Sequence, residues 1–221
     1  GDAMADIDYN VGLVLAALKQ LGVDRNTIVL WCTDNGPEAR RPWRGTSGPW
    51  RGFYNTVMEG GIRTPCVIRW PGRIPRGRTS NALVSEMDLF PTIAAAVGAP
   101  EIVPTDRPID GQNILPFLEG KRADSGRESL LFFTGSQVRA VKWKDWKFHY
   151  AFMPEPRVTE PPLMRLFNLR ADPREDSDVK DVNPWAIGLF DGLVAGFAAS
   201  AAQFPNVPTG VADPYVPPRR P

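Results

Sequence analysis

Thr33-Asp34-Asn35-Gly36 sets a carboxylate beside a carboxamide at the end of a short apolar run. The pair offers hard oxygen donors of the kind Ca²⁺ or Mg²⁺ prefers, and the glycine lets the backbone turn away sharply. The same four residues are also ordinary turn chemistry, so the pattern alone leaves both readings open. The following segment gathers Arg40, Arg41, Arg44, Arg51 and Arg63 among Trp43, Trp50, Phe53 and Tyr54. Guanidinium forks suit the oxygens of sulfate or phosphate, and aromatic faces can hold an aryl group or stack on the arginines. A solvated surface loop, or a grip on single-stranded nucleic acid, has the same composition. Against nucleic acid stands the charge balance, 26 Lys plus Arg against 25 Asp plus Glu, which leaves any attraction for anions local.

In Glu59-Gly60-Gly61-Ile62-Arg63-Thr64-Pro65 two glycines permit close backbone approach, and Glu59 and Arg63 are spaced to pair as a structural brace. His149, the sole histidine, sits among Trp146, Phe148 and Tyr150, the setting of a packed or edge residue rather than a general base. Cys32 and Cys66 lie in apolar, β-branched runs, so buried free thiols are expected, with no disulfide framework and no redox spacing.

These residues need elements to hold them. Met4, Ile7, Val11, Val14, Leu15, Leu18 and Leu21 recur at three- and four-residue steps, which predicts an amphipathic helix closed by Gly22. A helix under way from the first residues reads as a chain that begins inside a structure. Residues 26–33 read as a strand covered on both faces, as in a parallel sheet. Residues 34–61 lack periodicity and form a loop too long to be idle. Residues 64–70 read as a second strand and 87–97 as a helix that starts near Asp88, with Pro91 in its first turn and Gly98 after its end.

Residues 99–127 are rich in Pro and charge apart from 113–118 and connect two units, with the boundary near residue 125. Beyond it, 129–134, 138–143, 146–152 and 165–169 are short runs separated by turn signals such as Gly135-Ser136 and Lys144-Asp145, the pattern of an antiparallel meander. Asn183-Pro184 opens a last helix, and from Pro205 the composition is that of an extended, Pro-rich tail. The expected class is α/β: residues 1–125 an α/β unit, 126–204 a small antiparallel sheet with a carboxyl-terminal helix, 205–221 a tail. No unbroken run approaches the roughly 20 apolar residues needed to cross a bilayer, and no signal-peptide pattern opens the chain.

Several blocks stand in one order: Asp6-Ile7-Asp8-Tyr9-Asn10-Val11-Gly12, Asn26-Thr27-Ile28-Val29, Thr33-Asp34-Asn35-Gly36-Pro37, Trp50-Arg51-Gly52, Glu59-Gly60-Gly61-Ile62-Arg63-Thr64-Pro65, Trp70-Pro71-Gly72 and Asp88-Leu89-Phe90-Pro91-Thr92. In that order and spacing the chain resembles the sulfatase family of the alkaline-phosphatase-like fold. Leu166-Phe167-Asn168-Leu169, with Asp172-Pro173 and Glu175, is similar to the family's closing strand. The resemblance implies the carboxyl-terminal part of an α/β sulfatase domain followed by a small antiparallel unit, acting on small-molecule sulfate esters. It also implies calcium, with magnesium as the alternative, held in part by Asp34 and Asn35, and a formylglycine nucleophile made within a Cys/Ser-x-Pro-x-Arg motif.

That motif reads as absent, since Cys32 is followed by Thr33-Asp34-Asn35 and Cys66 by Val67-Ile68-Arg69. The nucleophile and the other metal ligands are therefore expected in a missing amino-terminal segment, and this chain alone is expected to be inactive. Where many members carry a sulfate-contacting lysine stands Tyr54, which brings no cation at neutral pH, so Arg40, Arg44 or Arg51 is the expected replacement. The resemblance favours a periplasmic or extracellular setting, and no nucleic-acid or membrane partner is expected. A phosphate or phosphonate ester hydrolase of the same superfamily, and a non-catalytic binding module built on the Arg and Trp loop, are the competing readings.

Overall fold

The computed structural model describes residues 1–40, 42, 45–154 and 163–216. Helix α1 (Asp2–Gln20) forms where the apolar stripe predicts it, with Asp2 in its first turn and Lys19 in its last, both complementing the helix dipole. Gly22 follows in the left-handed conformation at φ +70°, and its N–H closes on the Lys19 carbonyl at 3.1 Å. The described residues bury none of this helix, and Met4 and Val14 stay 62% and 55% exposed.

Strands β1 (Val29–Cys32) and β2 (Cys66–Arg69) pair antiparallel, with Val29 opposite Arg69 and Cys32 opposite Cys66. The parallel, doubly covered setting expected for residues 26–33 is therefore corrected: β1 is half-buried along its length, and β2 starts exposed. An apolar β-branched run reports a capacity for burial and says nothing of strand direction. The expectation of buried thiols fails with it, because both cysteines are free but Cys66 is exposed and Cys32 only half-buried.

The loop after β1 ends in the one-turn helix α2 (Glu59–Ile62). Helix α3 (Leu89–Ala96) follows a 3₁₀ turn over Glu86–Asp88, where the Ser85 hydroxyl accepts the Met87 N–H and Asp88 Oδ2 accepts the Ser85 N–H at 2.8 Å. Pro91 falls in the first turn of α3, and Gly98 at φ +77° follows its end. Asp88 is fully buried; it accepts Arg127 Nε at 3.1 Å and the Gln112 N–H at 2.7 Å. That pair fastens α3 to the far end of the connection, in which α4 (Leu115–Leu118) is the one regular turn between Asn113 and Glu119.

Strands β3 (Ser129–Thr134), β4 (Gln137–Trp143), β5 (Trp146–His149) and β6 (Arg165–Asn168) form an antiparallel meander in chain order. Gly135 and Lys144 take φ +59° and +53° at the two hairpin turns, the left-handed geometry that matches strand twist. Helix α5 (Trp185–Gln203) lies on one face, where Ala186 and Phe190 join Val141, Phe148 and Leu166 in a core. By length and mean hydropathy of 1.5, α5 is long and apolar enough to cross a membrane, a property that its interrupting glycines and Asp191 hide from a count of unbroken apolar runs. One face of it packs on the sheet through Ala186 and Phe190, and Asp191 accepts the Tyr150 hydroxyl at 2.8 Å. The described residues after Phe204 form no helix or strand.

Candidate functional site

Three glycine-bearing segments meet backbone to backbone around the end of β1. The Gly36 N–H donates to the Gly61 carbonyl at 2.9 Å, and the Gly60 N–H to the Arg51 carbonyl at 2.7 Å. A Cβ on Gly36 would stand 2.0 Å from the Gly60 oxygen, and one on Gly60 would stand 2.6 Å from the Arg51 and Gly52 oxygens. Only glycine tolerates such approach, so the spacing of these motifs in the sequence reflects one interlocked knot. The knot fixes where the chain leaves β1, and therefore where Asp34 and Asn35 project.

Both residues line a cleft of about 2370 Å³ whose wall also includes Thr33, Ser47, Trp50 and Arg63. Asp34 is exposed, and among the described residues nothing donates to its carboxylate. Asn35 donates its Nδ2 to the Gly36 carbonyl at 2.8 Å, which leaves Oδ1 as an open acceptor. The donor chemistry fits a hard cation. Calcium takes six to eight oxygens, however, and no group of three or more His, Cys, Asp or Glu stands ready for a metal among the described residues. The pair alone offers two side-chain donors, fewer than such a shell needs.

The residues expected to contact an anion are placed as follows. Arg51 donates to Asp176 at 3.1 Å and stacks over Phe152 at 5.6 Å, away from the lining of the cleft. Arg40 is exposed and pairs with Glu38 at 3.5 Å. Tyr54, half exposed, is held through its backbone N–H to the Pro37 carbonyl at 2.9 Å. Arg44 lies outside the described residues, as do Arg41 and Trp43. Arg63 is one of several cations on the cleft wall and the one beside Trp50, over which it stacks at 4.8 Å while its Nε donates to Glu59 at 2.6 Å. The expected absence of the Cys/Ser-x-Pro-x-Arg motif is corrected at a serine: Ser47-Gly48-Pro49-Trp50-Arg51 has that spacing. Its hydroxyl closes a turn by donating to the Trp50 carbonyl at 2.7 Å, and its arginine turns to Asp176.

Behind the knot lies an ion cluster that the sequence reading did not single out beyond the Glu59–Arg63 brace. Glu59 is fully buried and takes Lys142 at 2.9 Å and Lys147 at 3.0 Å; Lys147 also meets Glu175 at 3.1 Å, and Glu175 meets His149 at 2.7 Å. Lys142 and Lys147 are direct cross-strand partners, a like-charge pairing that the carboxylate between them offsets. Burial works to raise the Glu59 carboxyl, but Lys147, Lys142 and Arg63 outweigh it and hold the group well below the usual carboxylate range. Burial likewise opposes ionisation of Glu175, yet Lys147 and the His149 hydrogen bond leave its pKa lowered. Burial pushes His149 down despite Glu175, so the ring is neutral and packed.

A signal for this cluster exists in β5. Alternation puts Trp146 and Phe148 toward α5 and Lys147 and His149 on the opposite face. In the fold that face meets α2 through Glu59.

The family model described as Sulfatase matches residues 1–99. The chain is 33% identical to steryl-sulfatase of Mus musculus over 96% of its own length and 38% of that protein's. It is 33% identical to arylsulfatase D of Homo sapiens, covering 92% of the chain and 38% of the relative. Among solved structures, the PsFucS1 sulfatase from Pseudoalteromonas sp. superposes with a TM-score of 0.81 at 28% identity, covering 94% of this chain and 44% of that one. The chain thus spans about two fifths of the length of these curated relatives.

Proposed function

The chain belongs to the sulfatase family, and on that premise we propose that it forms the carboxyl-terminal portion of an enzyme that hydrolyses sulfate esters. In this reading Asp34 and Asn35 hold one side of a divalent metal, calcium by donor type. The observation that carries it is the Asp34 carboxylate on the cleft wall, without a donor among the described residues, beside the open Asn35 oxygen, both aimed by the glycine knot. When bound, such a metal neutralises ester oxygens and orients the group under attack. The nucleophile, a formylglycine, belongs in this proposal to residues outside the present sequence.

This chain's own residues orient and neutralise. Asp34 brings a negative oxygen, Asn35 a neutral one, and the buried Glu59 holds the partly exposed Arg63 guanidinium at the cleft wall over Trp50. Contact with the sulfate oxygens is assigned to an arginine of the loop, Arg40, Arg44 or Arg51, rather than to Tyr54. For Arg51 this means exchanging a half-exposed ion pair with Asp176, a bond of the surface class that costs about 0–1 kcal/mol to break.

The test is a comparison of aryl sulfate, phosphodiester and phosphonate ester turnover by a complete protein carrying this chain, with and without Asp34→Ala. Sulfate preference that vanishes in the variant and falls with calcium chelation is expected. Phosphonate preference would transfer the chain to the neighbouring ester class, and unchanged turnover in Asp34→Ala would remove the metal assignment.

A further inference from the structure

Cys32 is the last residue of β1 and Cys66 the first of β2, and the register places them directly opposite one another. Side chains at opposed positions of an antiparallel pair share one face of the sheet. Opposed residues of an antiparallel pair have Cα atoms about 4.5–5.5 Å apart, inside the roughly 4.4–6.8 Å that a disulfide spans. Both thiols are free, both line the cleft, and Cys66 is exposed to a small oxidant. Sequence spacing hides the pair, since the two residues are separated by the whole arginine loop and α2.

We propose that Cys32 and Cys66 form a reversible cross-strand disulfide that staples the two ends of the 33–65 loop. The oxidant is a small-molecule disulfide of the glutathione class. The Cys66 sulfur, having given up its proton, attacks one sulfur of that disulfide, breaks its S–S bond and releases one small thiol. Cys32, likewise deprotonated, attacks the Cys66 sulfur, forms the protein disulfide and expels the second small thiol. Two protein thiols are oxidised by two electrons, and one small disulfide is reduced to two thiols. The bond closes a loop holding Asp34, the glycine knot and Arg63, so its formation narrows the freedom of the cleft wall without touching the Glu59 cluster.

The folded chain is equilibrated with mixtures of oxidised and reduced glutathione, acid-quenched, digested and analysed by mass spectrometry. A peptide containing an internal Cys32–Cys66 bond is expected, absent from Cys32→Ser and Cys66→Ser, with the thiol pair's effective concentration roughly 100-fold higher in the folded chain than in urea. The oxidised chain should also melt on the order of 5 °C above the reduced one. Glutathione adducts on single cysteines without an internal bond, disulfide-linked dimers, or a folded-to-unfolded ratio of one or less would each overturn the proposal.

Discussion

Glu175 accepts the backbone N–H of Glu59 at 2.7 Å while its own backbone sits in the left-handed region at φ +58°. A side chain there costs on the order of 1–3 kcal/mol, and such strain persists only where the surroundings over-determine it. Here the determinants are the Glu59 amide, Lys147 and His149, all buried. A residue beyond the meander thus caps the one-turn helix whose glycines aim Asp34. The clamp links the antiparallel sheet to the cleft.

Backbone preference and side-chain chemistry conflict at this position, which makes it a sharp test. Glu175→Gly relieves the strained φ but leaves the Glu59 N–H and half of the Lys147 pairing unmet. A net loss of roughly 2–4 kcal/mol in urea unfolding is expected. If the glycine variant is more stable than the parent, the strain outweighs the clamp and the account is wrong.

Lys147→Met removes the one cation shared by both buried carboxylates. The expected loss is about 3–5 kcal/mol, because two negative groups then remain buried with less compensation. Arg51→Ala, which breaks a half-exposed pair with Asp176, should cost no more than about 1 kcal/mol in the same assay. Equal losses for the two variants would mean that burial of the cluster contributes nothing special.

Acid should unfold the chain in two stages. The folded His149 titrates below its ordinary 6.5, so as pH drops under that value the unfolded chain takes up a proton the folded one refuses, and stability declines. Glu59 and Glu175 titrate below their ordinary 4.5 when folded; their contribution is complete above that value and is lost as pH falls through the folded pKa values. Urea midpoints taken from about pH 7.5 to 4 should therefore fall, and fall more steeply toward the acid end. A His149→Asn variant should flatten the upper stage alone. A midpoint that rises between pH 7 and 5 would contradict the neutral, buried imidazole.

Much of this architecture is legible from local physics. Stripe and terminal glycine give α1, turn residues and alternation give the meander, and the capping residues give α3, because each signal is written in neighbouring positions. The Asp34–Asn35 position at a strand end is legible for the same reason. What escapes is non-local: the antiparallel pairing that brings Cys32 to Cys66, and the second face of β5, where Lys147 meets Glu59 from 88 residues away in the chain. The direction of Arg51 escapes likewise, since its partner Asp176 lies 125 residues on.

Gly36 and Gly192 separate close packing from mere flexibility. An Ala Cβ at Gly36 would stand 2.0 Å from a backbone oxygen, so Gly36→Ala should destabilise by more than about 2 kcal/mol. Gly192 lies in exposed α5 with nothing within 4 Å, so Gly192→Ala should stabilise by about 0.5–1 kcal/mol. Thermal melts of both decide it; a silent Gly36→Ala would mean that the knot is loose.

The isolated chain should not turn over aryl sulfates and should bind calcium only weakly. Ester cleavage at enzymatic rates needs a nucleophile in line, a metal on the oxygens and an acid for the leaving group. Ser47, the one residue with the Ser-x-Pro-x-Arg spacing, has its hydroxyl on the Trp50 carbonyl. Asp34 and Asn35 alone leave most of a calcium shell to water, so the dissociation constant should lie near or above roughly 1 mM. In a longer protein that supplies the remaining ligands, Asp34→Ala should abolish metal-dependent turnover. Loss of the responsible loop arginine should remove on the order of 2–4 kcal/mol of transition-state stabilisation. Ser47→Ala should leave turnover there within about twofold, a change of about 0.4 kcal/mol or less. Chromogenic aryl sulfate hydrolysis and calorimetric calcium titration read all of these. Metal-dependent turnover by the 221 residues alone, lost on Ser47→Ala, would put the nucleophile inside this chain and overturn the division of labour proposed for it.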